Sequence, residues 1–317
     1  MAFSNSAIPI NMDDPELPWG SLPIEQYLIQ HWNDSATESP AEQRLQLISE
    51  FLNLDEFPAQ WVPVDGEPNP ETKPTAAQIE TILQPWRPLS LRKKAWEILY
   101  SNKEYPLLLR THYSPDPPQR SMDDEKIEEW AHASEMLQDR LDWAYLNDPT
   151  LFNFGPDWHR IYEIMPEAAG PMDGSGVRKQ EPSDLSLPQF KDALREHKHF
   201  EEWKEDKQKY IENMASSMQR DVTAAYMLIA DEEAFETDHL RLLYVDYKLN
   251  IIRESRVEAD GQWITDLIMD WDQAGMLDEF WERGIGEKYR VDGELGAPLY
   301  QLTEEDWADP ENAETPA

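Results

Sequence analysis

The stretch from Val222 to Val257, VTAAYMLIADEEAFETDHLRLLYVDYKLNIIRESRV, constrains the fold more than any other, because its acids must go somewhere. Read as one helix, at about 100° per residue, it puts Leu228, Phe235, His239, Leu242 and Leu243 on one side. Glu232, Glu236 and Asp246 then fall in the middle of that same side. Burying carboxylates is costly unless each is paired, and a bound metal would be one way to pair them. Read as sheet, VTAAYMLIA, HLRLLYVD and NIIRESRV become strands, DEEAFETD a connecting loop and DYKLN a tight turn that starts on Asp and ends on Asn. The acids leave together for the connections, and the strands keep Val, Ile, Leu and Tyr, which suit a pleated, half-buried surface. Alternation in the third strand is imperfect, since Arg253 and Ser255 share a face with Ile251 and Val257. The sheet reading still needs only two connections where the helix needs a metal. The sequence therefore predicts an α+β protein, predominantly helical, with a small three-stranded antiparallel β-meander near 222–257.

The same choice governs the candidate metal ligands. Glu236 and His239 form a Glu-x-x-His pair, which on a helix would sit one turn apart, as in the half-sites of di-iron helix bundles. In the meander Glu236 lies in a loop and His239 starts a strand, and the half-site dissolves. Glu129 with His132 and Glu196 with His199 repeat the spacing. His132 falls opposite the apolar stripe of Ile127, Trp130 and Leu141, and His197 rather than His199 lies with Phe190, Ala193 and Leu194. Glu97, the natural extra ligand upstream, also lies off its helix's apolar face. No metal and no cofactor is expected on these grounds.

Asn213, Ser217 and Asp221 are spaced by four, with Asp123 and Asp124 upstream. This spacing resembles the two magnesium-binding motifs of class I terpene synthases. The resemblance covers those few positions and implies an all-helical fold with magnesium and a prenyl diphosphate. No basic residue to receive the diphosphate is evident, and the two aspartates also suit a helix start. No GxSxG elbow, phosphate-binding glycine loop or HExxH is present.

Proline and glycine punctuate the rest. LPIEQYLIQHW and SPAEQRLQLISEFL read as helices, the second with Ser39 as cap, Pro40 in the first turn and Glu42 completing a capping box. Five prolines between Phe57 and Pro74 mark a linker, so residues 1–74 form an N-terminal helical segment and its linker. Helices are predicted again from Thr75 and Ser90. Glu104–Tyr113 stays open between strand and helix. The strongest helix pattern starts at Ser121, read as its cap, and a shorter one follows from Pro156. Residues 75–165 make a helical region, 166–188 a flexible linker, and 189–301 a long helix, the meander and a closing helix. Residues 302–317 read as a disordered acidic tail.

Charge decides the expected partners. The chain carries 64 acidic and 28 basic residues, a net −36. Such a field repels nucleic acid and anionic membranes and favours a basic or neutral protein partner. The 13 Trp sit mostly within apolar patterns, so burial explains them. There is no cysteine, which excludes disulfides, thiolate catalysis and Cys-ligated zinc. With no apolar run of spanning length and no secretory start, the expected setting is cytoplasmic or nuclear. A soluble, non-catalytic interaction or regulatory protein is the leading expectation. The alternative is a metal-dependent helical enzyme of di-iron carboxylate or terpene-synthase-like type.

Overall fold

The computed structural model describes residues 17–61, 73–100, 107–131, 145–170, 222–260, 284–290 and 292–297, with 205, 206, 209 and 219 singly. Five strands form one sheet: β1 (Leu107–Arg110), β2 (Tyr145–Leu146), β3 (Ala225–Ala230), β4 (His239–Val245) and β5 (Ile251–Glu258). Their order is β2-β1-β3-β4-β5. β1 runs parallel to both β2 and β3, whereas β3, β4 and β5 pair antiparallel. The expected three-stranded antiparallel meander is thus overturned: the sheet is five-stranded and mixed. The reason is long range. Leu108 pairs with Leu228 across more than a hundred residues, and a parallel partner leaves no turn signal beside it. The open segment Glu104–Tyr113 supplies this strand, and all four residues of β1 are buried.

Alternation along the strands explains why the sheet is covered on both faces. Leu107 and Leu109 of β1, Met227 and Ile229 of β3 and Leu243 and Val245 of β4 belong to one apolar core. Leu108, Leu228, Leu242 and Tyr244 belong to another. Helices α1 (Pro23–His31), α2 (Pro40–Leu52) and α4 (Leu89–Tyr100) pack in the first core. Between α2 and α4 lies the single turn α3 (Ala76–Gln78), continued as a π-turn over Ile79–Leu83. The second core takes Ile127 and Trp130 of α5 (Pro117–Ala131) and Phe235 of α7 (Glu232–Thr237). The short α6 (Ile161–Ile164) returns to the first core. Each buried Leu or Ile contributes about 1.5–3 kcal/mol, so neither face could be left to water.

Local signals set several helix starts. Ser39 and Glu42 make the reciprocal capping box of α2, and Thr75 with Gln78 does the same for α3. Two starts differ from expectation. α5 begins at Pro117, so Ser121 lies inside it and is not its cap. The acidic connection DEEAFETD is not a loop: Asp231 accepts a hydrogen bond from the Ala234 amide at 3.0 Å and caps α7. The turn DYKLN is organised by Asp246, which accepts from the Lys248 and Asn250 amides at 2.9 and 2.8 Å and from the Tyr289 hydroxyl at 2.6 Å. These bonds hold Leu249 in the left-handed region at φ 62°. Residues 284–286, Gly-Ile-Gly, lie along the outer edge of β5. The Glu254 amide donates to the Gly284 carbonyl at 2.7 Å, and the Gly286 amide to the Ile252 carbonyl at 2.8 Å.

Two buried ion pairs tie the helical layer together. Arg92 of α4 grips Glu25 of α1 through Nε at 2.5 Å and Nη2 at 3.0 Å. Its remaining N–H groups reach the Leu17 and Pro18 carbonyls, and its guanidinium lies over the Trp19 ring at 3.8 Å. Arg87 holds Glu167 bidentately, both bonds 2.8 Å, leaving only Nε unpartnered. Glu167 belongs to a buried 3-10 turn, Pro166–Ala169, at the very start of the glycine- and proline-rich segment. Residues 171–188 of that segment lie outside the described residues.

Candidate functional site

The strand order defines one place where connections diverge. From β1 the chain passes to β2 on one side, and from β3 it passes to β4 on the other. Between β1 and β3, at their carboxyl ends, the connections leave a crevice position that open α/β sheets commonly use for ligands. The residues there are Arg110 to Ser114 after β1, Asp231 after β3, and the starts of α5 and α7.

Arg110 ends β1 and is fully buried. Alternation puts it with Leu108 on the face covered by α5 and α7. Its Nε donates to the His112 carbonyl at 2.9 Å, and Nη1 pairs with Asp124 of α5, whose side chain is about half exposed. Nη2 has no partner. The guanidinium lies 4.4 Å from the Tyr113 ring and 5.0 Å from the Phe235 ring. Phe235 in turn stacks on Trp130 at 5.4 Å. Cation–π contact of this kind stabilises a desolvated guanidinium without using its N–H groups.

Further unpartnered atoms gather at this end of the sheet. Asp123, next to the Arg110 partner, is buried; its Oδ1 accepts from Gln119 Nε2 at 2.8 Å and its Oδ2 accepts nothing. Tyr113 is buried, and its hydroxyl faces the Asp148 backbone without a well-formed bond. Burial raises its pKa, with Arg110 pulling the other way and Asp148 adding to the rise, so it remains protonated. Thr111 Oγ1 is also unpartnered, but the next residue along an extended strand points to the opposite face. A buried polar group without a partner costs about 1–3 kcal/mol, and a native chain keeps few of them.

Outside this centre lies an acidic face. Lys126 of α5 donates to the Phe235 carbonyl at 3.0 Å and to Asp238 at 2.7 Å, docking α7 on α5. The two helices then present Glu125, Glu129, Glu232 and Glu236, all exposed and without an ion-pair partner among the described residues. Arg256 reaches across to Asp231 at 2.6 and 2.7 Å and to Glu233 at 2.8 Å. Burial works against its charge, but those carboxylates outweigh it and hold the pKa above the ordinary value.

Of the sequence-derived metal ligands, Glu129, Glu236 and His239 lie among the described residues and belong to no metal-holding group there. Glu236 is on α7 and His239 on β4, both exposed, and His239 Nδ1 lies 2.6 Å from the Thr237 carbonyl. Glu129 is exposed on α5. His132, Asn213, Ser217 and Asp221 lie outside the described residues, as do Glu196 and His199. Among the described residues no group of three His, Asp or Glu side chains is placed to hold a metal, and no helix is long and apolar enough to cross a membrane. Arg110 and the Asp123–Asp124 pair were not legible as one centre, because only the fold brings the end of β1 against α5. The one available signal was an arginine closing the apolar run LLLR.

Comparison of the chain with models of protein families, with curated proteins and with solved structures finds no match in any of the three.

Proposed function

We propose that this protein is a non-catalytic interaction protein that docks a basic partner of the cytoplasm or nucleus. One observation carries the reading: the way charge is divided between inside and outside. Among the described residues the buried charged side chains are five arginines (44, 87, 92, 110 and 253) and four carboxylates (Glu25, Asp123, Glu167 and Asp246). The interior formed by these residues takes up nearly equal charge of both signs, so their acidic excess remains outside. A surface of one sign attracts partners of the other, and speeds their encounter in a salt-dependent way. Glu129 and Glu236, the carboxylates that the sequence placed in separate half-sites, stand exposed with Glu125 and Glu232 on two helices that Lys126 docks together.

The test is binding of a fluorescent lysine-rich peptide at about 0.15 M salt, where charges more than about 8 Å apart are screened. Saturable binding that weakens as salt rises is the expected result. The variant Glu125→Gln, Glu129→Gln, Glu232→Gln, Glu236→Gln should lose more affinity than a control that neutralises Asp34, Glu38, Glu56 and Glu80, which are exposed elsewhere. No saturable binding at that salt concentration sinks the proposal. Equal loss in both variants removes the α5–α7 face from it.

A further inference from the structure

We infer that the outer face of α5 seats a basic amphipathic helix, with Met122 as its apolar anchor. The inference rests on the docking of a basic partner proposed above, and it names what else that partner must carry. Pro118, Met122, Glu125 and Glu129 follow one another at spacings of four, three and four residues. At about 100° per residue they fall within about 60° of one another. Residues so spaced form a seam along which a second helix can lie. All four are exposed, whereas Asp123, Ile127 and Trp130, on the side of α5 turned inward, are buried. The seam therefore belongs to the surface and takes no part in the core.

Its character changes along its length. Pro118 and Met122 make an apolar half, and Glu125 and Glu129 an acidic one. Three large apolar side chains are exposed among the described residues, Leu45, Leu89 and Met122, and Met122 is the most exposed at 56%. One such side chain alone is ordinary. Of the three, only Met122 shares its seam with two carboxylates that have no ion-pair partner among the described residues. Methionine is also unbranched and adapts its shape to whatever packs on it.

Charge chooses the occupant. A second copy of this chain carries the same net −36 and approaches Glu125 and Glu129 against a like field. A helix with Lys or Arg opposite the two glutamates, and a large apolar side chain opposite Pro118 and Met122, satisfies both halves of the seam. Its charges steer the encounter, and the apolar contact adds affinity that salt does not screen.

Two helical peptides of equal length and lysine content test this against charge attraction alone. One carries two leucines four residues apart, and the other has alanine in their place. Binding to the full chain is measured by fluorescence anisotropy at about 0.15 M salt and again at about 0.5 M. The leucine peptide should bind about tenfold more tightly, the gain from one well-buried leucine. Higher salt should weaken both peptides and leave their ratio standing. Met122→Gln keeps a good helix former on the surface and should abolish the preference. Leu45→Gln, the matched change on α2, should leave it intact. A proline at the centre of the leucine peptide should abolish it too. If neither peptide binds saturably, the basic-partner reading falls and this inference with it. Equal binding of the two peptides overturns the inference alone. So does a preference that survives Met122→Gln or the central proline, or one that Leu45→Gln also removes.

Discussion

Arg92 and Arg110 are both withdrawn from water, yet they are held in opposite ways. Arg92 has a buried carboxylate on two of its nitrogens, backbone carbonyls on the rest and an indole against its face. Arg110 has one half-exposed carboxylate, one carbonyl, two aromatic rings and a nitrogen with nothing to bond. The first arrangement gives every guanidinium nitrogen a partner and fixes α1 against α4. The second leaves charge and donors unspent at the end of a strand. Burial of an arginine alone therefore says little about its role. What its partners leave unsatisfied says more.

That contrast can be broken by experiment. Arg92→Met leaves Glu25 buried with its main partner gone, and should cost about 3–5 kcal/mol in denaturant unfolding. A cost near that of an exposed pair would show that Glu25 finds water, and would remove the contrast. Arg110→Met leaves Asp124 free to hydrate, so it should cost about 1 kcal/mol, close to the value of a solvent-exposed pair. A loss as large as that of Arg92→Met would make Arg110 a structural clamp. Ser39→Ala removes one reciprocal cap far from both arginines and should cost about 1 kcal/mol or less. It calibrates how much a purely local bond contributes in this chain.

The smallest expected effect is a titration. His159 has an outer face in solvent and its ring stacked on Trp158 at 3.7 Å. Partial burial lowers its pKa below 6.5, opposed by Asp157 and reinforced by Arg241. The neutral ring is favoured in the folded chain. The unfolded chain therefore binds more protons just below the ordinary value, and stability falls as pH drops through the lowered folded pKa. NMR titration of the ring should give a value under 6.5, and His159→Gln should remove that small acid sensitivity.

How much of this was legible follows the distance between partners. The capping box at Ser39 involves residues three apart, and the letters alone place it, as they place the helix start at Thr75. The segments of β3, β4 and β5 could also be picked out, because adjacent antiparallel strands advertise their turns. β1 and β2 could not, because parallel neighbours are joined only through distant chain. Their absence turned a mixed sheet into an expected meander. The α7 helix departs from expectation for a different reason: Asp231 followed by two glutamates is an N-terminal signature, but an acid-rich stretch between two strands reads equally as a loop. The pairs Arg92–Glu25 and Arg110–Asp124 have no mark in the sequence, since nothing in composition tells an inward arginine from an outward one.

The Gly-Ile-Gly ribbon beside β5 has a consequence for how copies of this chain meet. Any side chain on Gly284 would put its first carbon 1.9 Å from the Glu254 carbonyl oxygen, and one on Gly286 would come within 1.7 Å of that of Ile251. Only bare backbone can lie so near, and by lying there it occupies the outward amide of Glu254 and the outward carbonyl of Ile252. A second molecule seeking to extend the sheet at that rim finds its template already taken. Strand-to-strand polymerisation is thereby blocked at that stretch by two residues with no side chain at all.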